Sequence, residues 1–245
     1  MKKVLASIGI GNASVDTVLD EETVRPGQEV KAEVHVDGGN AEQDVDRIEL
    51  EVETRYLTED EGYRDATVDR LHLTDGFTIE PDSQQTFETT LSIPYATPLT
   101  MGDARVWVDT DLEIPIAVDP EDEDPLDVKP TARMQAVFDA ADDLGLSFRT
   151  ADVEADPYGR YVGRRFVQEF EFRPSGGEYR GDLDELEFVF DPSPESLTVS
   201  VEVDRRGGLL SELADADERT TQFSLADADR ATARQKIQNA VEGFI

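Results

Sequence analysis

Along the first half of the chain, apolar and polar residues alternate with a period of two. That is the spacing of half-buried β-strands, whose side chains point to opposite faces in turn. Val30, Ala32, Val34 and Val36 share one face, and Ile48, Leu50, Val52, Thr54 and Tyr56 share another. Phe87, Thr89, Leu91 and Ile93 repeat the pattern, as do Leu112, Ile114, Ile116 and Val118. Shorter candidates span 67–73, 76–80 and 105–109. Turn signals separate them at Pro26-Gly27, Gly38-Gly39, Asp75-Gly76, Pro81-Asp82 and Gly102-Asp103. Roughly seven or eight short strands in this stretch predict an antiparallel sandwich over residues 1–118. Pro115 cannot donate to a ladder, which places its strand at an edge or a bulge.

Residues 119–130 read DPEDEDPLDVKP. Three prolines and a dense acid run predict a linker. A calcium loop is the sharper reading, with six carboxylates in nine residues, yet the EF-hand glycine and its spaced terminal Glu are missing. Beyond it the period changes. Met134, Val137, Phe138, Ala141 and Leu144 fall on one face of a helix predicted over 132–144, with Thr131 able to cap its start and Gly145 its end. Strands then resume. Phe166, Gln168, Phe170 and Phe172 alternate, Leu183 opens LDELEFVF, and Leu197, Val199, Val201 and Val203 alternate again, between the turns RPSGG and DPSPES. A second helix is predicted over 226–243, with Ser224 and Asp227 as its capping box. Ile237, Val241 and Phe244 or Ile245 form its apolar stripe, which suits docking on the second domain's own core.

Composition adds charge to this picture. The chain has 245 residues and no cysteine, which excludes a disulfide framework, a thiolate metal site and a cysteine nucleophile. Asp plus Glu number 56 against 23 Lys plus Arg, a formal net charge of -33. Such charge repels itself at low salt and is tolerated where the Debye length shortens to about 3 Å near 1 M. The acids are interspersed rather than blocked, and lysines are few, which points to adaptation to a salt-rich cytoplasm such as a haloarchaeon's. No basic stripe offers counterion release, so nucleic acid is not an expected partner. The opening MKKVLASIGIGNASVDT imitates a signal peptide, but its apolar part is broken by Gly9, Gly11 and Asn12. No run approaches the roughly 18 apolar residues of a membrane span, so a cytoplasmic, soluble protein is expected.

The motifs of known chemistry are missing. GIGNAS lacks the third glycine of a dinucleotide fingerprint, and there is no P-loop and no G-x-S-x-G elbow. His35 and His72 each alternate against an apolar strand face and read as solvent-facing, not as ligands. Carboxylate pairs carry no signal among so many acids. No catalytic, metal or cofactor residue is expected. The conspicuous group is aromatic and basic: Arg55, Tyr56, Tyr158, Arg160, Tyr161, Arg164, Arg165, Arg205 and Arg206. These residues are candidates for a protein-partner surface or for bridges between domains, and ordinary ion pairing with neighbouring acids is the plain alternative.

Several separated segments agree, in order, with one known family. SVDTVLDEETVRPGQEVKAEVHVDGGNAEQDVDRIELEVETRY, then FVQEFEFRPSGGEYRGDLDELEFVF and VEVDRRGGLLSEL, resemble the sporulation-control (SpoOM) proteins first known from bacilli. The resemblance covers nearly the whole chain; the acid load and acidic linker depart from it. It implies a mainly β fold of two tandem antiparallel β-sandwich domains, arrestin-like, over 1–118 and 131–245, with one helix early in the second domain and one at the C-terminus. It further implies a non-enzymatic adaptor or regulator, in cell division, shape or development, acting on protein partners without a cofactor. A membrane-peripheral scaffold and a carboxylate-based hydrolase are the alternatives left open.

Overall fold

The structure, a computed structural model, describes residues 12–58, 60–115, 119–177, 179–205 and 220–244. Gly9, Gly11, Ile116, Val118, Arg206 and Ile245 lie outside the described residues. The chain divides into two compact units, one of 1–54, 65–97 and 105–129, the other of 55–64, 98–104 and 130–245.

The first unit contains two facing sheets. In one, β1 (Ser14–Leu19), β3 (Glu29–Asp37) and β6 (Gln84–Ser92) pair antiparallel in the order β1-β3-β6. In the other, β4 (Gln43–Thr58) lies between β5 (Gly62–Ile79) and β7 (Val106–Glu113), followed by β8 (Glu121–Val128) and the short parallel β2 (Thr23–Val24). The alternating residues of the sequence become the interior: Val30, Val34, Val36, Ile48, Leu50, Val52, Val108 and Leu112 are all buried. The hydroxyls of Thr17 on β1 and Thr110 on β7 meet at 2.8 Å inside this core, so each satisfies the other's polar group where water is excluded.

Three expectations are corrected here. The stretch 119–130 is no linker, because Glu121–Val128 is strand β8, paired antiparallel with β7. Its acids alternate around the fold's needs: Leu126 and Val128 are buried anchors, while Glu121 and Glu123 face solvent. β2 pairs only with Asp127 and Val128, so among the described residues Pro125 sits on an open stretch of edge where a missing N–H costs nothing. Asp75-Gly76 is no turn either, since β5 runs through it. That glycine admits a close neighbour instead; a Cβ there would lie 3.0 Å from the Val45 carbonyl oxygen. Finally, the two strands expected around 105–118 are one, ending at Glu113, before Pro115. Ile114 N–H donates to the Asp119 carboxylate at 2.8 Å and closes the bend.

The second unit is an antiparallel sheet in the order β13-β12-β11-β10-β9, formed by β9 (Leu146–Ala155), β10 (Phe166–Pro174), β11 (Leu183–Pro192), β12 (Leu197–Arg205) and β13 (Thr220–Leu225). Beyond β9, Leu57 at the end of β4 pairs in parallel with Glu154. Helix α1 (Ala132–Asp143) puts Phe138 against Phe170, Phe172 and Phe190, with ring centroids 5.2, 6.0 and 5.3 Å away. Thr131 caps it, as its position predicts. Helix α2 (Arg230–Glu242) buries Ala233, Ile237 and Val241, but Asp229 caps it. Ser224 is extended in β13, opposite Thr198, and cannot form the expected box with Asp227.

Candidate functional site

Five of the nine singled-out residues lie on one loop, 156–165, which joins β9 to β10 and reads DPYGRYVGRR. Its backbone is closed on itself. Asp156 N–H donates to the Arg165 carbonyl at 2.7 Å, Gly159 N–H to the Asp156 carbonyl at 3.0 Å, and Gly163 N–H to the Gly159 carbonyl at 3.3 Å. Gly159 and Gly163 adopt φ of 62° and 67°, a left-handed conformation that residues with a Cβ enter at a cost. The Asp156 carboxylate, only 1% exposed, organises the loop from within. Its Oδ2 accepts from Tyr161 N–H at 3.2 Å, and its Oδ1 lies 3.8 Å from Arg160 Nε. A buried carboxylate that accepts from a backbone amide, with a guanidinium charge 3.8 Å away, ties the segment around it.

The loop's outer side is the opposite in character. Tyr158 is 86% exposed, and Arg160, Arg164 and Arg165 are exposed around it. Tyr161 turns back toward the sheet: Arg160 lies 5.7 Å from its ring centroid, and its hydroxyl donates to Glu202 Oε2 on β12 at 3.2 Å. Burial, then the Glu202 and Glu169 carboxylates, pushes the Tyr161 phenol up to about 12. The loop therefore lies across a sheet face carrying a row of acids. Glu171 stands opposite Glu187, and Glu187 opposite Glu202, in the strand register. Glu169 is raised to about 7, by burial and then by Glu154 and Glu202. Glu187 is raised to about 8, by burial and then by Glu169 and its neighbours. Within this row, Glu169 and Glu187 hold their protons more tightly than an ordinary carboxyl, beneath an aromatic and cationic cover.

The remaining candidates have other places. Tyr56 stacks on Phe166, the first residue of β10, at 5.9 Å and 22°, so it packs rather than presents itself. Arg55, beside it on β4, is half-buried. Arg205 ends β12, in register with Leu183, and Arg206 lies outside the described residues. His35 Nδ1 lies 3.1 Å from Thr86 Oγ1, and exposed His72 lies 3.1 Å from Asp75. Among the described residues no group of three or more His, Asp or Glu is placed to hold a metal ion, and no helix is long and apolar enough to cross a membrane. The sequence reading missed Asp156, Glu169, Glu187 and Glu202. Asp-Pro at a turn signalled the first; nothing distinguished the three glutamates from the other acids.

Comparison with known proteins agrees over most of the chain. The family model described as SpoOM protein matches residues 1–207. The sporulation-control protein spo0M of Bacillus subtilis strain 168 is 39% identical over 237 residues, covering 93% of this chain and 91% of its own length. The crystal structure of Spo0M, the sporulation control protein of Bacillus subtilis, superposes with a TM-score of 0.87 at 35% identity, covering 96% of this chain and all of that one. The mainly β, arrestin-like class expected from the sequence is the fold of this chain.

Proposed function

The chain belongs to the SpoOM family, and we propose that within it this protein is a non-enzymatic adaptor that binds other proteins through the loop 156–165. A family whose curated relative is named for sporulation control supports a regulatory role; the process regulated need not be sporulation. One observation carries the surface. A tyrosine 86% exposed stands on a loop pinned by a carboxylate only 1% exposed. Tyr and Arg are the residues enriched at the anchoring points of protein interfaces, and a loop ordered before contact gives up little entropy on binding. Arg160, Arg164 and Arg165 also give this highly acidic chain a local cationic patch, which suits an acidic or polar partner surface.

Each alternative meets an opposing observation. A net charge of -33 is repelled by an anionic lipid surface, against a membrane-peripheral scaffold. Against a hydrolase, burial and neighbouring carboxylates already account for the raised Glu169 and Glu187, without any catalytic arrangement. Replacing Tyr158 with the photo-crosslinker p-benzoylphenylalanine tests the surface. Irradiation in molar salt is expected to give discrete protein adducts that vanish in an Arg160→Ser background. The same label at Tyr63, itself 58% exposed, is expected to give none of them. Identical adducts at both positions, or none at Tyr158, refute the loop as the contact.

A further inference from the structure

Among the described residues, strand β6 is the outer strand of its sheet and pairs on one side only, with β3. The register runs unbroken from Glu29 opposite Ser92 to Asp37 opposite Gln84. Just past its ends, Ile93 N–H donates to the Gln28 carbonyl at 2.8 Å and Gly38 N–H to the Ser83 carbonyl at 2.7 Å. In an antiparallel pair, residues that exchange bonds recur at every second position. The odd-numbered residues of β6 therefore turn their amides and carbonyls toward β3. Gln84, Thr86, Glu88, Thr90 and Ser92 turn theirs away, and those ten groups have no hydrogen-bond partner among the described residues.

An open edge is a template for another chain, and proteins commonly blunt it with Lys, Pro or a bulge. β6, QQTFETTLS, has no Lys, no Pro and no register shift, and its single charged residue is Glu88. The open stretch of β8, in contrast, carries Pro125 behind four consecutive acids. In a chain that is 32% charged, so neutral an edge is a local exception.

We infer that β6 takes up an extended segment of a partner protein as an added strand, separately from the loop 156–165. The edge specifies the segment's chemistry. Glu88 is exposed and stands directly opposite exposed Glu33 on β3, so the residue laid beside Glu88 on its open side is matched when it is Lys or Arg. Gln84, Thr86, Thr90 and Ser92 are exposed on the same face and suit hydroxyl side chains. On the other face Phe87 lies 5.2 Å from Phe77 of β5, and both are only partly buried, so aliphatic residues on that side of the segment extend the contact. A second copy fits poorly: antiparallel self-pairing about the strand's centre sets Glu88 against Glu88, between chains of charge -33.

The test uses the full chain, isotope-labelled, with the capped nonapeptide TVTVKVTVT at fixed salt. The peptide is expected to slow amide exchange at Gln84, Thr86, Glu88, Thr90 and Ser92 by about tenfold or more, as new ladder bonds do. N-methylating the peptide amides that face β6 is expected to abolish this. A peptide with Glu for its Lys binds more weakly, and Glu88→Lys reverses that ranking. No protection at these amides, or equal protection by the N-methylated peptide, overturns the inference. Protection that grows with protein concentration and needs no peptide assigns the edge to a second copy and overturns it too.

Discussion

Tyr161 and Tyr158 are three residues apart and have opposite fates. One is half-buried, with its hydroxyl on Glu202, and the other stands in water. Asp156 anchors the backbone that carries both, through its bonds to Tyr161 N–H, Gly159 N–H and the Arg165 carbonyl. The Tyr161 phenol is expected to titrate near 12. Glu202→Gln removes a neighbouring charge and is expected to bring it part of the way back toward 10, since burial, the larger cause, remains. NMR of ring-labelled tyrosine checks this; a titration unchanged in Glu202→Gln contradicts the contact. At this scale the sequence was legible where backbone geometry demanded a residue type. Pro26-Gly27 reads as a type II turn, and Gly27 has φ of 86°. Gly38 reads as a strand's end, and a Cβ there would fall 2.0 Å from the Glu80 carbonyl oxygen. The acids under the loop were illegible because their role depends on register across three strands, which no single stretch encodes.

At the scale of elements, β8 shows how strand pairing overrides composition. Its register with β7 sets Asp109 opposite Glu123 and Asp111 opposite Glu121, and β7's register with β4 sets Glu51 opposite Asp109 and Glu49 opposite Asp111. Two rows of three carboxylates result. Like charges directly opposite are destabilising, and Arg70 offsets the repulsion on one side only, through Glu49 and Glu51. Burial first, then these neighbours, raises Asp109 from 3.8 to about 6 and Glu53 from 4.5 to about 7. Such groups hold protons more tightly folded than unfolded. Their stabilisation is complete below about pH 4 and is lost as pH rises through about 6 and 7. Asp109→Asn is therefore expected to raise the melting temperature at pH 8 in dilute buffer and to flatten the pH profile between 5 and 8. A lowered melting temperature at pH 8 contradicts the repulsive row.

A second element-level feature lies outside any motif. Arg133 of α1 donates to four backbone carbonyls: Ala226 at 2.7 Å, Ser193 at 3.4 Å, Pro194 at 3.2 Å and Glu195 at 2.9 Å. One guanidinium thus ties the first helix to the β11–β12 turn and to the approach of α2. Arg133→Ala is expected to cost about 2 kcal/mol in urea unfolding, with Arg133→Lys intermediate because an ammonium lacks the planar fork. A change within about 0.5 kcal/mol for both contradicts the clamp.

For the whole molecule, the pattern of apolar residues fixed more than the charge did. Period-two alternation found the sandwich strands and period 3.6 found both helices, because burying one face is a local demand. The acid run at 119–130 misled, because composition announces solvation while Leu126 and Val128 still claim places in the core. Net charge remains a property of conditions. Circular dichroism across a salt series is expected to show cooperative folding strengthening from dilute buffer toward 1 M or more, where charges are screened within about 3 Å. Full stability in dilute buffer contradicts that expectation.

The central claim concerns the loop 156–165, and quantitative affinity capture from the source organism in molar salt tests it most directly. Wild-type protein is compared with a Tyr158→Ser, Arg160→Ser variant shown by circular dichroism to be folded. The account predicts that specific proteins enriched on the wild type fall about tenfold or more on the variant, the loss of an interface anchor. Equal recovery of the same proteins by both, or capture of nothing by either, would contradict it.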